Sequence, residues 1–282
     1  MKLLTFDTDW AVYPTPEQLM IGTEEEHQTL DALVYDFHLP NGRPHDDRHE
    51  PADDPDGLYW RLIEAGLPRR LKPHVTDWHR EVLDVVRQTR MGADWKRQRV
   101  AEIVCLDAHL DIYPRMLVDL DTAHPGRAIY RVCVEDLASG LDRRAKSIPT
   151  EYRDRIRESY DWIRDGLMEG GWLISLAGQI GTVKVDWVVP YHFAAALDQG
   201  FPYPNAQWAD SLALGKKYSQ WSARAYPKTR TIKIASPRYQ IVVQVMTSLP
   251  SLAEVDLVHL ARSPLFLPPK MDVWVDYLVS LF

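Results

Sequence analysis

The chain has 282 residues, 45% hydrophobic and 26% charged, with a formal net charge of −7, the composition of a soluble globular protein able to bury a large core. The acidic balance leaves no surplus of lysine and arginine to neutralise phosphates, which argues against a nucleic-acid partner and is compatible with a cationic substrate. No apolar run approaches the roughly 18 residues of a membrane span and no secretory signal opens the chain, so a cytoplasmic protein with no membrane partner is expected. The two cysteines, Cys105 and Cys133, are too few for a disulfide framework or a thiolate zinc site and read as buried reduced thiols.

Residues 1–10 read as a first strand. Its apolar run, Leu3-Leu4-Thr5-Phe6, ends in alternating acids, and period-2 geometry places Asp7 and Asp9 on one face. Pro14 and Pro16 break the pattern. Thr23 and Glu26 fit a capping box, predicting a helix from about 24 to 36. A polar loop insertion follows at about 37–57; its His45, Asp46, Asp47 and His49 resemble a ligand cluster in composition only, because nothing rigid positions them. Gly57 to Ile63 predicts a helix ended by Gly66. Thr76 or Asp77 can cap the next helix, with Val82, Val85 and Val86 on its apolar face and His79 in its first turn.

The central strand runs through Ile103-Val104-Cys105-Leu106 into Asp107-Ala108-His109-Leu110-Asp111. Asp107, His109 and Asp111 share a face if the strand stays extended, and two carboxylates with an imidazole suit a first-row divalent metal. The plainer alternative is a solvated strand exit. Two such acidic strand ends in one chain suggest parallel neighbours whose like charges meet around a cation. Arg127–Val134 reads as a further strand, 151–168 as a helix, 172–177 as helix in preference to strand, and 182–190 as a strand. Asp186 stands alone there and reads as structural. Residues 229–235 and 239–245 predict a hairpin, 255–262 the last strand, and a helix carrying Met271 and Trp274 follows. Strands interleaved with helices predict a mostly parallel α/β sheet, with ligands outside the carboxyl ends of its strands.

Asp107-Ala108-His109-Leu110-Asp111 resembles the Asp-Ala-His-x-Asp signature of the ureohydrolases, the arginase and agmatinase superfamily, and Asp7-Thr8-Asp9 resembles their second signature. Here the second signature comes first in the chain. That order is similar to an arginase-like branch in which an N-terminal Asp-x-Asp precedes a His-x-Glu segment, the Asp-x-His-x-Asp strand and a Ser-Pro-x-Phe-x-Pro exit; His79-Arg80-Glu81 and Ser263–Pro268 supply the other two. The branch resembles the peptide arginases, which convert arginine side chains of ribosomally made peptides to ornithine and urea.

The resemblance implies a single three-layer α/β/α arginase/deacetylase-like domain over 1–282, holding two Mn²⁺. Asp7, His79, Asp107 and Asp111 would hold one ion, and Asp7, Asp9, Asp107 and His109 the other. It implies an arginine-containing peptide substrate attacked by a metal-bridging hydroxide, with Asp107 and His109 central to the catalysis. His27 and His192 are candidates for the general acid; Glu24, Glu25, Glu26 and Glu81 are candidates to pair the guanidinium. Two alternatives stay open: a deacetylase-type amide hydrolase or small-guanidine ureohydrolase on the same metals, and a non-catalytic α/β binding module.

Overall fold

The computed structural model describes residues 1–13, 50–51, 54–107, 115–119, 129–133, 171–189, 222–226, 230–263 and 270–282. Strand β1, Lys2–Asp7, forms from the first apolar run and stops at Asp7; Thr8–Ala11 wind into a 3-10 turn. Asp9 therefore stands on that turn and not on the strand. The period-2 alternation from which a shared face was expected ends with the strand at Asp7. Val12–Tyr13 (β2) pairs antiparallel with Glu50–Pro51 (β3).

Helix α1, Pro55–Glu64, starts on a proline whose missing N–H is no loss in the first turn. It takes the last residues assigned to the polar insertion. Gly66 follows at φ +99°, where an added Cβ would lie 3.3 Å from the Ala253 nitrogen. Strand β4, Pro73–Thr76, leads to a 3-10 turn at His79–Glu81, then α2, Val82–Gln88, and α3, Arg90–Gln98. His79 thus lies in a turn ahead of the predicted helix rather than within it. Strand β5 is Val100–Leu106, and β6, Arg115–Asp119, pairs antiparallel with β7, Ile129–Cys133. Helix α4 is Trp172–Ile180; strands β8, Thr182–Val188, β9, Ser222–Tyr226, β10, Thr231–Ala235, β11, Gln240–Met246, and β12, Val255–Ala261, follow, and α5 is Lys270–Ser280.

The main sheet has the order β4-β12-β1-β5-β8-β11-β10-β9. The first six strands are parallel; β10 and β9 add antiparallel edges, and the predicted hairpin is β10–β11. The fold is therefore α/β with a mostly parallel sheet. Buried strands with both faces covered read as near-continuous apolar runs, as β1 and β5 do. One face packs with α2, α3 and α4, the other with α1 and α5. Among the described residues no helix is long and apolar enough to cross a membrane.

Two features of this topology position a site. Strand β1 lies between β5 and β12, so the two acidic strand ends are parallel neighbours. The next main-sheet strand after β1 is β4, on one side; after β5 it is β8, on the other. The order reverses between β1 and β5, where α/β sheets open a crevice.

Candidate metal centre

The register stacks side chains in rows across the face that carries Leu3, Thr5 and Asp7. One row is apolar throughout: Leu257, Leu3, Ile103, Val185, Val243 and Ile232. The next, nearer the carboxyl ends, is His259, Thr5, Cys105 and Trp187. Beyond it come Ala261 and Asp7 in register, with Asp107 following Leu106, the partner of Phe6. Period-2 alternation in adjacent strands thus turns a hydrophobic layer into a polar one and then an acidic one.

His79 reaches this row from the turn after β4. Glu81 fixes that turn: its Oε2 accepts from the Asp77 and Trp78 backbone N–H groups at 3.1 and 3.0 Å. Glu81 is thereby a cap, which accounts for the His-x-Glu spacing and sets it apart from the candidates to pair a guanidinium. The Trp172 ring packs on the His79 ring at 5.0 Å between centroids. His79 Nδ1 lies 3.1 Å from Asp107 Oδ2 and 3.4 Å from Asp7 Oδ2, and Nε2, across the ring, contacts Thr5 Oγ1 at 2.8 Å. His79 is fully buried, with Asp107 1% and Asp7 6% exposed.

Each acid is oriented by its own neighbours. Ser263 Oγ donates to Asp7 Oδ1 at 2.5 Å, leaving Oδ2 toward the imidazole. Ser263 holds a left-handed φ of +48°, rare for a side-chain-bearing residue and the kind of strain that surrounding structure must enforce. Its N–H donates to Asp77 O at 2.9 Å, extending the β12–β4 pairing past the strand ends. Trp187 Nε1 donates to Asp107 O at 2.9 Å, and Trp10 Nε1 to Val188 O at 2.8 Å, bracing the carboxyl edge of the sheet. Cys105 Sγ lies 3.9 Å from Asp107 Oδ2, and His79, Cys105 and Asp107 offer donor atoms within 4.8 Å of one another.

This donor set fits a divalent cation. Two carboxylate oxygens converge on an imidazole nitrogen in a buried site, where like charges are costly unless a positive charge lies between them. Oxygen and imidazole nitrogen suit manganese; the Cys105 sulfur beside them is a softer donor that suits zinc. Ser263→Ala removes the hydroxyl that aims Asp7. Metal affinity measured by titration calorimetry is expected to fall about 10- to 100-fold, the range for outer-shell partners.

His259, on β12, completes the polar row. Its Nδ1 contacts Thr5 Oγ1 at 2.9 Å and its Nε2 contacts Thr76 Oγ1 at 2.8 Å. Burial, and then the nearby His79 and His74, hold it well below the usual histidine value of 6.5. The folded chain resists a proton that the unfolded chain accepts. Stability from this group is therefore complete above about pH 6.5 and falls as pH drops below it, by at most about 1.4 kcal/mol per pH unit. Denaturant midpoints from pH 7.5 to 5 are expected to fall less steeply for His259→Phe than for the wild type.

Of the predicted ligands, Asp7, His79 and Asp107 come together, from positions 72 and 28 residues apart in sequence. Asp9 lies on the 3-10 turn after β1. His109 and Asp111 lie outside the described residues, as do His27, His192, Glu24, Glu25, Glu26 and the His45–His49 loop. Asp186 pairs with Lys2 Nζ at 3.1 Å, in keeping with its structural reading. Sequence reasoning missed Thr5, Cys105, His259 and Ser263 as neighbours of the acids. The signal for Thr5 and Cys105 was present, since each stands two residues before an acid on the same strand face. Compared with protein-family models, curated proteins and solved structures, the chain matches none.

Proposed function

We propose that the protein is a manganese-dependent, arginase-like hydrolase that converts arginine side chains of a peptide to ornithine with release of urea. The observation that carries this reading is the convergence of Asp7, Asp107 and His79 Nδ1 at the carboxyl ends of β1 and β5. Asp7, Asp9, His79, Asp107, His109 and Asp111 would hold the ions. When bound, the ions supply an ionised water at neutral pH and polarise the substrate.

The chain's own residues do the positioning. Asp7 and Asp107 concentrate negative charge in buried surroundings at the switch point, which attracts cations and strengthens electrostatic contacts there. Ser263 and Glu81 fix the Asp7 carboxylate and the His79 turn before anything binds, so little reorganisation is left for the reaction. Water adds to the guanidinium carbon, the C–N bond to the side chain breaks, and the leaving nitrogen takes a proton to become the ornithine amine.

The test is to incubate the protein with Mn²⁺ and an arginine-containing peptide. Hydrolysis lowers the peptide mass by roughly 42 Da per converted residue and releases one urea; metal analysis gives close to two manganese per chain. Turnover of free arginine or agmatine without any peptide change replaces the substrate with a small guanidine. Acetyl-lysine turnover without urea assigns a deacetylase-type amide hydrolase. Less than one metal per chain and no hydrolysis leave a binding module.

A further inference from the structure

The polar row beneath the acids is a hydrogen-bond chain whose proton directions can be counted. Thr76 Oγ1 donates its single proton to the Trp78 carbonyl at 2.9 Å, because a carbonyl can only accept. His259 Nε2, 2.8 Å from the same Oγ1, must then be the donor in that contact. Thr5 Oγ1 meets His259 Nδ1 at 2.9 Å and His79 Nε2 at 2.8 Å, again with one proton to give. If Thr5 gave it to His79, His259 would need protons on both nitrogens, a cation at 0% exposure whose two nitrogens meet threonine hydroxyls and not carboxylates. Thr5 therefore donates to His259, and His79 Nε2–H donates to Thr5.

We infer that Thr5 and His259 are positioning residues that keep the His79 proton on Nε2, so that Nδ1 is presented to the acids as a metal-ligating atom. With Nε2 carrying its proton, Nδ1 meets Asp7 Oδ2 and Asp107 Oδ2 only with a metal ion or a second proton between them. The tautomer of an imidazole ligand is set by the bond its other nitrogen makes. Here that bond is anchored four groups deep, ending on the backbone carbonyl of Trp78, in the turn that carries His79 itself. The His79 and His259 rings lie nearly parallel, 7° apart with centroids at 5.9 Å, and both contact the shared Thr5 hydroxyl.

This inference rests on the metal-binding reading of the site, and the experiment separates the two. Imidazole ¹⁵N resonances of full-length, metal-free protein, assigned by comparison with His79→Gln, report whether His79 Nε2 carries a proton. Titration calorimetry with Mn²⁺ reports affinity. Wild type and Thr5→Ser are expected to show Nε2–H and equal Mn²⁺ affinity. In His259→Phe the Thr5 proton is released to His79, Nε2 becomes the acceptor and Nδ1–H faces the acids; Mn²⁺ affinity falls about 10- to 100-fold. Thr5→Val loses the acceptor and falls comparably, without inverting the tautomer. A bare Nε2 in the wild type overturns the inference, as does unchanged Mn²⁺ affinity in both Thr5→Val and His259→Phe. A wild type with Nε2–H that binds no Mn²⁺ overturns the metal reading and leaves the proton direction in place.

Discussion

Asp107→Asn is expected to abolish Mn²⁺ binding and hydrolysis while leaving the metal-free protein at least as stable as the wild type. The two effects have opposite signs for one reason. Asp107 is 1% exposed and its Oδ2 shares His79 Nδ1 with Asp7. Without a cation, two buried carboxylates face each other across one imidazole, and neutralising one relieves repulsion and desolvation. With a cation, the same substitution removes a shared ligand, which should exceed the 10- to 100-fold loss typical of outer-shell changes. At Mn²⁺ of about 1,000 times the dissociation constant the wild type gains about 4 kcal/mol. Thermal melts with and without Mn²⁺ check this: the wild-type midpoint rises with metal and that of Asp107→Asn does not move. A metal-independent collapse of the variant would instead make Asp107 a structural residue.

The second large effect is on stability. Trp172 is fully buried at the start of α4 and belongs to the cluster that joins α2, α3 and α4 to one face of the main sheet. Trp172→Ala is expected to cost about 3–5 kcal/mol, combining lost transfer energy with the cavity left behind. The cavity would open against the His79 ring, so metal affinity should fall together with the denaturant midpoint. Trp172→Phe keeps a ring there and should lose less of both. A variant that loses stability but binds Mn²⁺ at wild-type affinity would show that Glu81 and Thr5 alone hold the imidazole.

The strands were legible wherever an apolar run ended in turn residues, because a parallel strand buried on both faces leaves that mark. So were the β10–β11 hairpin and the adjacency of the two acidic strand ends. What was not legible was where extended geometry stops. The run Asp7-Thr8-Asp9 alternates in sequence, yet the backbone leaves the strand at Asp7, a change made by packing: Trp10 is buried against Phe6, with Nε1 on the Val188 carbonyl. Ser263 belongs to a Ser-Pro-x-Phe-x-Pro motif in sequence, but its partner Asp7 is 256 residues away, and periodicity carries no information across that distance. Glu81 shows the reverse case, a residue whose sequence spacing marked it and whose contacts make it a cap.

The central place of β1 has a consequence for how the protein comes into being. Lys2–Asp7 must be flanked by β5 and by β12, whose contacts with it span up to 254 residues. At 5–20 residues per second, a ribosome releases the last flanking strand on the order of tens of seconds after the first. Until then one edge of β1 has no companion, and the serine that aims Asp7 has not been made. A nascent chain can lay β1 beside β5, but the hydrogen bond that aims Asp7 waits for Ser263, beyond β12.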